Sequence, residues 1–166
     1  MIVFLVGFMG SGKSSKGKLL ATHLGYDFMD TDKEIVEQLG MSINDIFRKF
    51  GEVKFRESET SLLNDLVTRN NLVVSTGGGL PCHAGNMDHI NRLGCSIYLK
   101  VSPTQLFSRL SSRKYKRPLI KDLSDKELMD FIERTLSERE AYYEKARHVL
   151  MGLEVSIDEL VNLVRD

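Results

Sequence analysis

The sequence predicts an α/β fold, a parallel sheet of about five strands covered by helices on both faces. Three observations carry that expectation. Short apolar runs alternate with amphipathic stretches along the whole chain. The first run, Ile2 to Val6, passes without a spacer into the glycine-rich segment Gly7 to Ser14. The 166 residues are enough for one such unit and too few for two ordinary ones. The expectation is therefore a single domain over 1–166.

Taken in order, Ile2-Val3-Phe4-Leu5-Val6 has the character of a buried strand. The segment after it, Gly7-Phe8-Met9-Gly10-Ser11-Gly12-Lys13-Ser14, fits the phosphate-loop pattern G-x-x-x-x-G-K-[ST]. Its glycines let backbone N–H groups approach phosphate oxygens that a Cβ would hold off. The helix expected from Lys13 to Leu24 adds the positive end of its dipole, with Leu19, Leu20 and Leu24 at helical spacing and Gly25 as its stop. In such a loop the lysine neutralises the β- and γ-phosphates and the following serine hydroxyl can ligate Mg²⁺. Tyr26 to Met29 alternates as a short strand that ends in Asp30-Thr31-Asp32. Residues i and i+2 of a strand share a side, so both carboxylates are expected to reach one ligand.

A short helix is expected from Asp32 to Leu39, closed by Gly40. Ser42 caps a second, bearing Ile43, Ile46, Phe47 and Phe50 before Gly51, and a third runs from about Val53 to Arg69. Phe55, Glu59, Leu62, Leu63, Leu66 and Val67 lie along one side of that third helix. This is more than a crossover needs, so residues 32–60 are expected to include a substrate-binding flap.

Leu72 to Ser75 is a buried-type strand running into Thr76-Gly77-Gly78-Gly79, where a ligand can lie against bare backbone. A helix is expected from His83 to Leu93, a strand from Cys95 to Val101, and a helix opened by Ser102-Pro103. From Ser111 to Lys121 the apolar pattern gives way to a basic run, read as a mobile lid that closes over nucleotide. Ser124 with Glu127, and Ser156 with Glu159, form capping boxes for the last two helices, with a fifth strand at His148 to Met151 between them. The phosphate loop, Asp30-Thr31-Asp32 and the triple glycine should all fall beyond the carboxyl ends of the strands.

Composition narrows the partners. Formal net charge is zero, so no global field draws the chain to nucleic acid or to an anionic membrane. No run approaches membrane-spanning length. The two cysteines, Cys82 and Cys95, are too far apart for a C-x-x-C site and too few for a disulfide framework, which suits a reduced, cytoplasmic setting. Cys82 is read as a small buried hydrophobe near the glycines. Arg56 and Glu59 stand one helical turn apart, as a simple salt bridge would, while Arg139 precedes the pair Tyr142-Tyr143, which would bury its stem. Two arginines brought together over a glycine floor would clamp a carboxylate, because each guanidinium fork can take both oxygens.

With these residues in place the chain closely resembles the shikimate kinase family, P-loop kinases related to the nucleoside monophosphate kinases. The resemblance spans nearly the whole chain. It rests on the phosphate loop, Phe28-Met29-Asp30-Thr31-Asp32, Phe55-Arg56-x-x-Glu59, Ser75-Thr76-Gly77-Gly78-Gly79, Arg117-Pro118-Leu119-Ile120, and Arg139 with Tyr143 and Ala146. The resemblance implies transfer of the γ-phosphoryl of ATP to the 3-hydroxyl of shikimate, in the route to chorismate and the aromatic amino acids. It implies nucleotide held by Gly10, Ser11, Gly12, Lys13, Ser14 and Ser15, with Arg109 over the adenine and Arg117 on the transferring phosphoryl. Ser14 and, through water, Asp30 would serve Mg²⁺. Asp32 would bind the acceptor hydroxyls as candidate base. Arg56 and Arg139 would bind the carboxylate, Glu59 would orient Arg56, and Gly78 and Gly79 would lie against the ring. Ile43, Phe47, Phe55 and Pro118 would supply apolar walls. A monomer is expected.

The chain departs from the family at Met151-Gly152-Leu153-Glu154-Val155-Ser156, where many members carry a proline in the adenine loop and this one has none. Three rival readings stay open: gluconate kinase, which shares the fold but needs no arginine clamp; a nucleotide kinase, for which no acceptor base pocket is evident; and a catalytically silent binding module, which would be expected to have lost Lys13, Asp32 or an acceptor arginine.

Overall fold

A computed structural model describes residues 1–165. Five parallel strands form one sheet in the order β2-β3-β1-β4-β5: β1 (Ile2–Val6), β2 (Asp27–Asp30), β3 (Leu72–Ser75), β4 (Gly94–Lys100) and β5 (His148–Met151). The helices are α1 (Lys13–Leu24), α2 (Thr31–Leu39), α3 (Ile43–Asp65), α4 (Asn86–Leu93), α5 (Pro103–Ser111), α6 (Asp125–Tyr143) and α7 (Ile157–Arg165).

The central strand β1 is fully buried, and its alternation divides the core between the two faces. Ile2, Phe4 and Val6 pack with Leu63, Ile90, Ile132 and Leu136 from α3, α4 and α6. Val3 and Leu5 face the other way, onto Leu20 and Ala21 of α1 and Leu160, Val161 and Val164 of α7. Helix α1 comes close to the sheet at Gly17, where a Cβ would stand 2.8 Å from the Phe28 ring. That approach fixes the phosphate loop against β1.

Local chemistry accounts for most boundaries. Ser42, Ser102 and Ser124 accept the N3 backbone N–H at the starts of α3, α5 and α6, and Gln105 and Glu127 complete capping boxes at the last two. Ser156 and Glu159 exchange the same pair of bonds ahead of α7. Gly51, with φ 82 and ψ 171, leaves the helical conformation inside α3, which is thus two helices joined at a kink, as the sequence had indicated.

Other expectations need correction. The helix expected from His83 begins at Asn86, after a 3₁₀ turn at Leu80–Cys82, because Ala84 and Gly85 both take positive φ. The second part of α3 stops at Asp65 and continues only as a 3₁₀ turn. Leu19, Phe50 and Val67 carry the helical spacing but are exposed, since each lies at the margin of its apolar stripe. The basic segment 111–121 does have an apolar anchor. Ile120 is completely buried and joins the main core, and Lys114 Nζ donates to the Leu123 carbonyl at 2.9 Å. Between these ties Tyr115 and Leu119 stay exposed.

Candidate active site

At the carboxyl edge of the sheet, the ends of β1, β2 and β3 open into a cavity of about 670 Å³. Gly10 and Gly12 adopt φ 81 and 94, values only glycine takes cheaply, and they wrap the loop after β1 around the start of α1. Gly12 caps α1 without a side-chain hydrogen bond, so the first-turn N–H groups remain available to an anion. Lys13 is buried, and its ammonium donates to the carbonyls of Gly7 and Phe8, each at 2.8 Å. Burial pushes its pKa down to about 8, against the opposing pull of Asp32, with Arg117 adding to the depression. The Ser15 hydroxyl donates to the Gly12 carbonyl, while the buried Ser11 hydroxyl has no partner among the described residues.

Asp30 and Asp32 both line this cavity, but not as strand neighbours. Asp30 ends β2 and N-caps α2, its Oδ1 accepting the Lys33 N–H, whereas Asp32 stands in the first turn of that helix. The carboxylate of Asp30 takes a backbone N–H of the first turn, and the helix starts at Thr31, one residue before the expected Asp32. The shared direction comes from that turn. Asp30 Oδ2 also accepts the Ser14 hydroxyl at 2.7 Å, and Ser75 Oγ lies 3.0 Å from Ser14 Oγ. Burial raises the pKa of Asp32, and Asp30 raises it further.

The triple glycine forms a floor under four side chains. A Cβ on Gly77 would collide with Asp32 Oδ1 and stand 3.2 Å from Glu59 Oε1. One on Gly78 would stand 3.1 Å from an Arg139 nitrogen, and one on Gly79 would lie 2.7 Å from Arg56 Nη2. Bare backbone is therefore what admits both guanidiniums. Arg56 Nη1 donates to Glu59 Oε2 at 2.8 Å, and its other nitrogens reach Glu52. Glu59 is wholly buried and its Oε1 has no partner among the described residues. Burial pushes its carboxyl up to about 7, although Arg56 pulls the other way.

Three supports of the floor escaped sequence reasoning. Thr31 accepts the Gly77 N–H at 2.8 Å, Tyr143 donates its hydroxyl to the Gly78 carbonyl at 2.6 Å, and Ser75 touches Ser14. Thr31 lies between two site aspartates, and Ser75 and Tyr143 belong to segments that carry the family resemblance, but none of these positions pointed to its hydrogen bond. Of the aromatic pair after Arg139, Tyr143 is buried and Tyr142 exposed. Cys82 is half-buried against the core, with Sγ 4.0 Å from the Gly78 carbonyl, and burial holds its thiol up at about 11. Arg109 and Arg117 both border the cavity, from α5 and from the basic segment. Of the expected walls, Phe55 is buried and Ile43 lines the cavity, while Pro118 is exposed.

Fold and site together define an α/β P-loop kinase that acts on a small acceptor. The family model described as shikimate kinase matches residues 9–164. The chain belongs to the shikimate kinase family. It is 37% identical to the shikimate kinase of Bacteroides fragilis over 170 residues, covering 98% of this chain and 95% of that one. It is 42% identical to that of Parabacteroides distasonis over 144 residues, covering 87% and 83%. Among solved structures, shikimate kinase from Bacteroides thetaiotaomicron superposes with a TM-score of 0.95 at 36% identity, covering 100% of this chain and 99% of the other. The enzyme from Acinetobacter baumannii in complex with shikimate gives 0.82 at 34%, covering 99% and 88%. A gluconokinase from Sinorhizobium meliloti gives 0.58 at 19% identity, which reflects the shared fold alone.

Proposed function

We infer that the chain carries out the reaction for which its family is named, transferring the γ-phosphoryl of ATP to the 3-hydroxyl of shikimate in aromatic amino acid biosynthesis. The observation that carries this reading is the pair of guanidiniums, Arg56 over Gly79 and Arg139 over Gly78, beside a phosphate loop. The clamp suits an acceptor carboxylate, which gluconate also carries, and the match of the shikimate kinase family model over residues 9–164 favours shikimate between the two.

The geometry supports the following roles. The phosphate loop, from Gly10 through Ser15, receives the nucleotide phosphates on its N–H groups, and Lys13 leaves the Gly7 and Phe8 carbonyls to meet the charge between the β- and γ-phosphates. Asp32 accepts the hydrogen bond of the attacking hydroxyl and orients it, the main demand of a loose phosphoryl-transfer transition state. Glu59 fixes Arg56, Arg139 completes the clamp, and Gly78 and Gly79 give the ring room. Arg117 brings a cation to the transferring phosphoryl when its segment folds over the cavity. Arg109 stands at the nucleoside end.

Mg²⁺ fits the donor set. Ser14 and Asp30 converge two hard oxygens at 2.7 Å, and no group of three or more His, Cys, Asp or Glu gathers to hold a metal among the described residues. That suits an ion keeping mostly water and phosphate ligands. When bound, it neutralises the β- and γ-phosphate oxygens. The chain is proposed to work as a cytoplasmic monomer; among the described residues no helix is long and apolar enough to cross a membrane.

An assay of ADP release, run separately with shikimate, gluconate and nucleoside monophosphates, tests the reading. Shikimate alone is expected to support turnover. A double cycle then examines the clamp: replacing the shikimate carboxylate by a neutral amide should penalise the wild type far more than Arg56→Ala or Arg139→Ala. Equal penalties in all three would remove the arginines from carboxylate recognition.

A further inference from the structure

The loop between β5 and α7 lacks the proline found in many family members, and the structure shows what holds it instead. Gly152, at φ 88, donates its N–H to the Lys100 carbonyl at 2.8 Å. Leu153 and Val155 pack into the two cores. A further tie comes from the far end of the chain. Lys16, half-buried in the first turn of α1, donates its ammonium to the Val155 carbonyl at 2.6 Å.

Lys16 also borders the phosphate loop. A Cβ on Gly12 would stand 3.5 Å from Lys16 Cε and 3.4 Å from an Arg109 nitrogen. The transferring phosphoryl must lie between Lys13 and Asp32, so the remaining phosphates run along the loop toward Ser15. Ribose and base then leave the cradle on the side of Gly12 and Arg109, where Lys16 spans from the cradle to the loop at 152–156. Its ammonium, unlike that of Lys13, is bonded outside the phosphate loop, to the Val155 carbonyl.

We propose that Lys16 is a positioning residue for the nucleotide base: by holding the Val155 carbonyl it sets the distance between the phosphate cradle and the loop at 152–156, which forms the far wall of the base pocket. The cross-link supplies the definition that a proline would give the loop internally. The inference rests on the ATP half of the proposed function and is independent of the acceptor.

The test compares a nonhydrolysable ATP analogue with inorganic tripolyphosphate, both with Mg²⁺, by calorimetry on wild type, Lys16→Met and Lys16→Arg. Lys16→Met keeps the stem and loses the donor. It is expected to weaken the analogue about tenfold, the scale of one charge-assisted hydrogen bond, and to leave tripolyphosphate within about twofold. Its KM for ATP should rise while kcat and the shikimate KM hold, and Lys16→Arg should recover the analogue affinity. Equal losses for both ligands would make Lys16 a phosphate contact and overturn the proposal, as would no loss for either. In the wild type, amide exchange over 152–156 should slow with the analogue and not with tripolyphosphate. Slowing by both, or by neither, counts against the proposal even if a variant misfolds. Failure of the shikimate assay would leave all of these binding measurements standing.

Discussion

Substitution of Gly79 by alanine isolates the proposed acceptor clamp. Gly79 has φ −87 and ψ −19, so alanine fits the backbone without strain. The added methyl would lie 2.7 Å from Arg56 Nη2 and 2.8 Å from Cζ, where ordinary contact begins at 3.4 Å. Arg56 Nη1 lies closer still, so the guanidinium has to retreat by about 1 Å, a distance its flexible end can cover at little cost to folding. Retreat pulls it away from the glycine floor and disturbs the 2.8 Å bond to Glu59. A misplacement near 1 Å can cost about 10²-fold, so kcat/KM for shikimate is expected to fall by about 10- to 100-fold. The KM for ATP should hold, because the phosphate loop does not touch Arg56. Steady-state kinetics in both substrates, with thermal unfolding as a check on folding, provide the assay. A folded Gly79→Ala enzyme with wild-type kcat/KM for shikimate would show that Arg56 does not lie over Gly79 in the working complex.

Lys13→Ala should fold and lose about 10²–10³ in kcat, the usual cost of removing one preorganised electrostatic donor; near wild-type turnover in single-turnover experiments would rule out the assigned role. Glu59 has its carboxyl raised from 4.5 to about 7, so between those values the folded chain binds a proton that the unfolded chain releases. Its contribution is complete below pH 4.5 and lost as pH rises through 7. The unfolding free energy of wild type minus that of Glu59→Gln should therefore decline by on the order of 3 kcal/mol across that window; parallel denaturation curves at every pH would contradict it. In the basic segment, amides from Ser112 to Leu119 should exchange about tenfold more slowly once ATP analogue and shikimate are both bound. The Ile120 N–H, bonded to the Arg117 carbonyl at 3.1 Å beneath a buried side chain, should change little, and slowing centred there would put the moving part elsewhere.

What the sequence determined by itself was set by short-range rules. The alternation of apolar runs and helical patterns fixed a five-stranded parallel sheet, and serine with glutamate three residues on fixed the starts of the last two helices. The glycine and lysine spacing of Gly7 to Ser14 placed an anion cradle at the end of β1, because that geometry depends only on neighbours along the chain. Only the tertiary structure decided which of these pieces meet. Asp32 shares a cavity with Asp30 through a helical turn, and Ile120 anchors a segment whose own composition is basic. Thr31, Tyr143 and Lys16 spend their polar atoms on the backbone of Gly77, Gly78 and Val155, across as many as 139 residues. A hydrogen bond to a distant carbonyl leaves no periodicity and no motif, since any backbone oxygen is chemically the same, and only packing selects one.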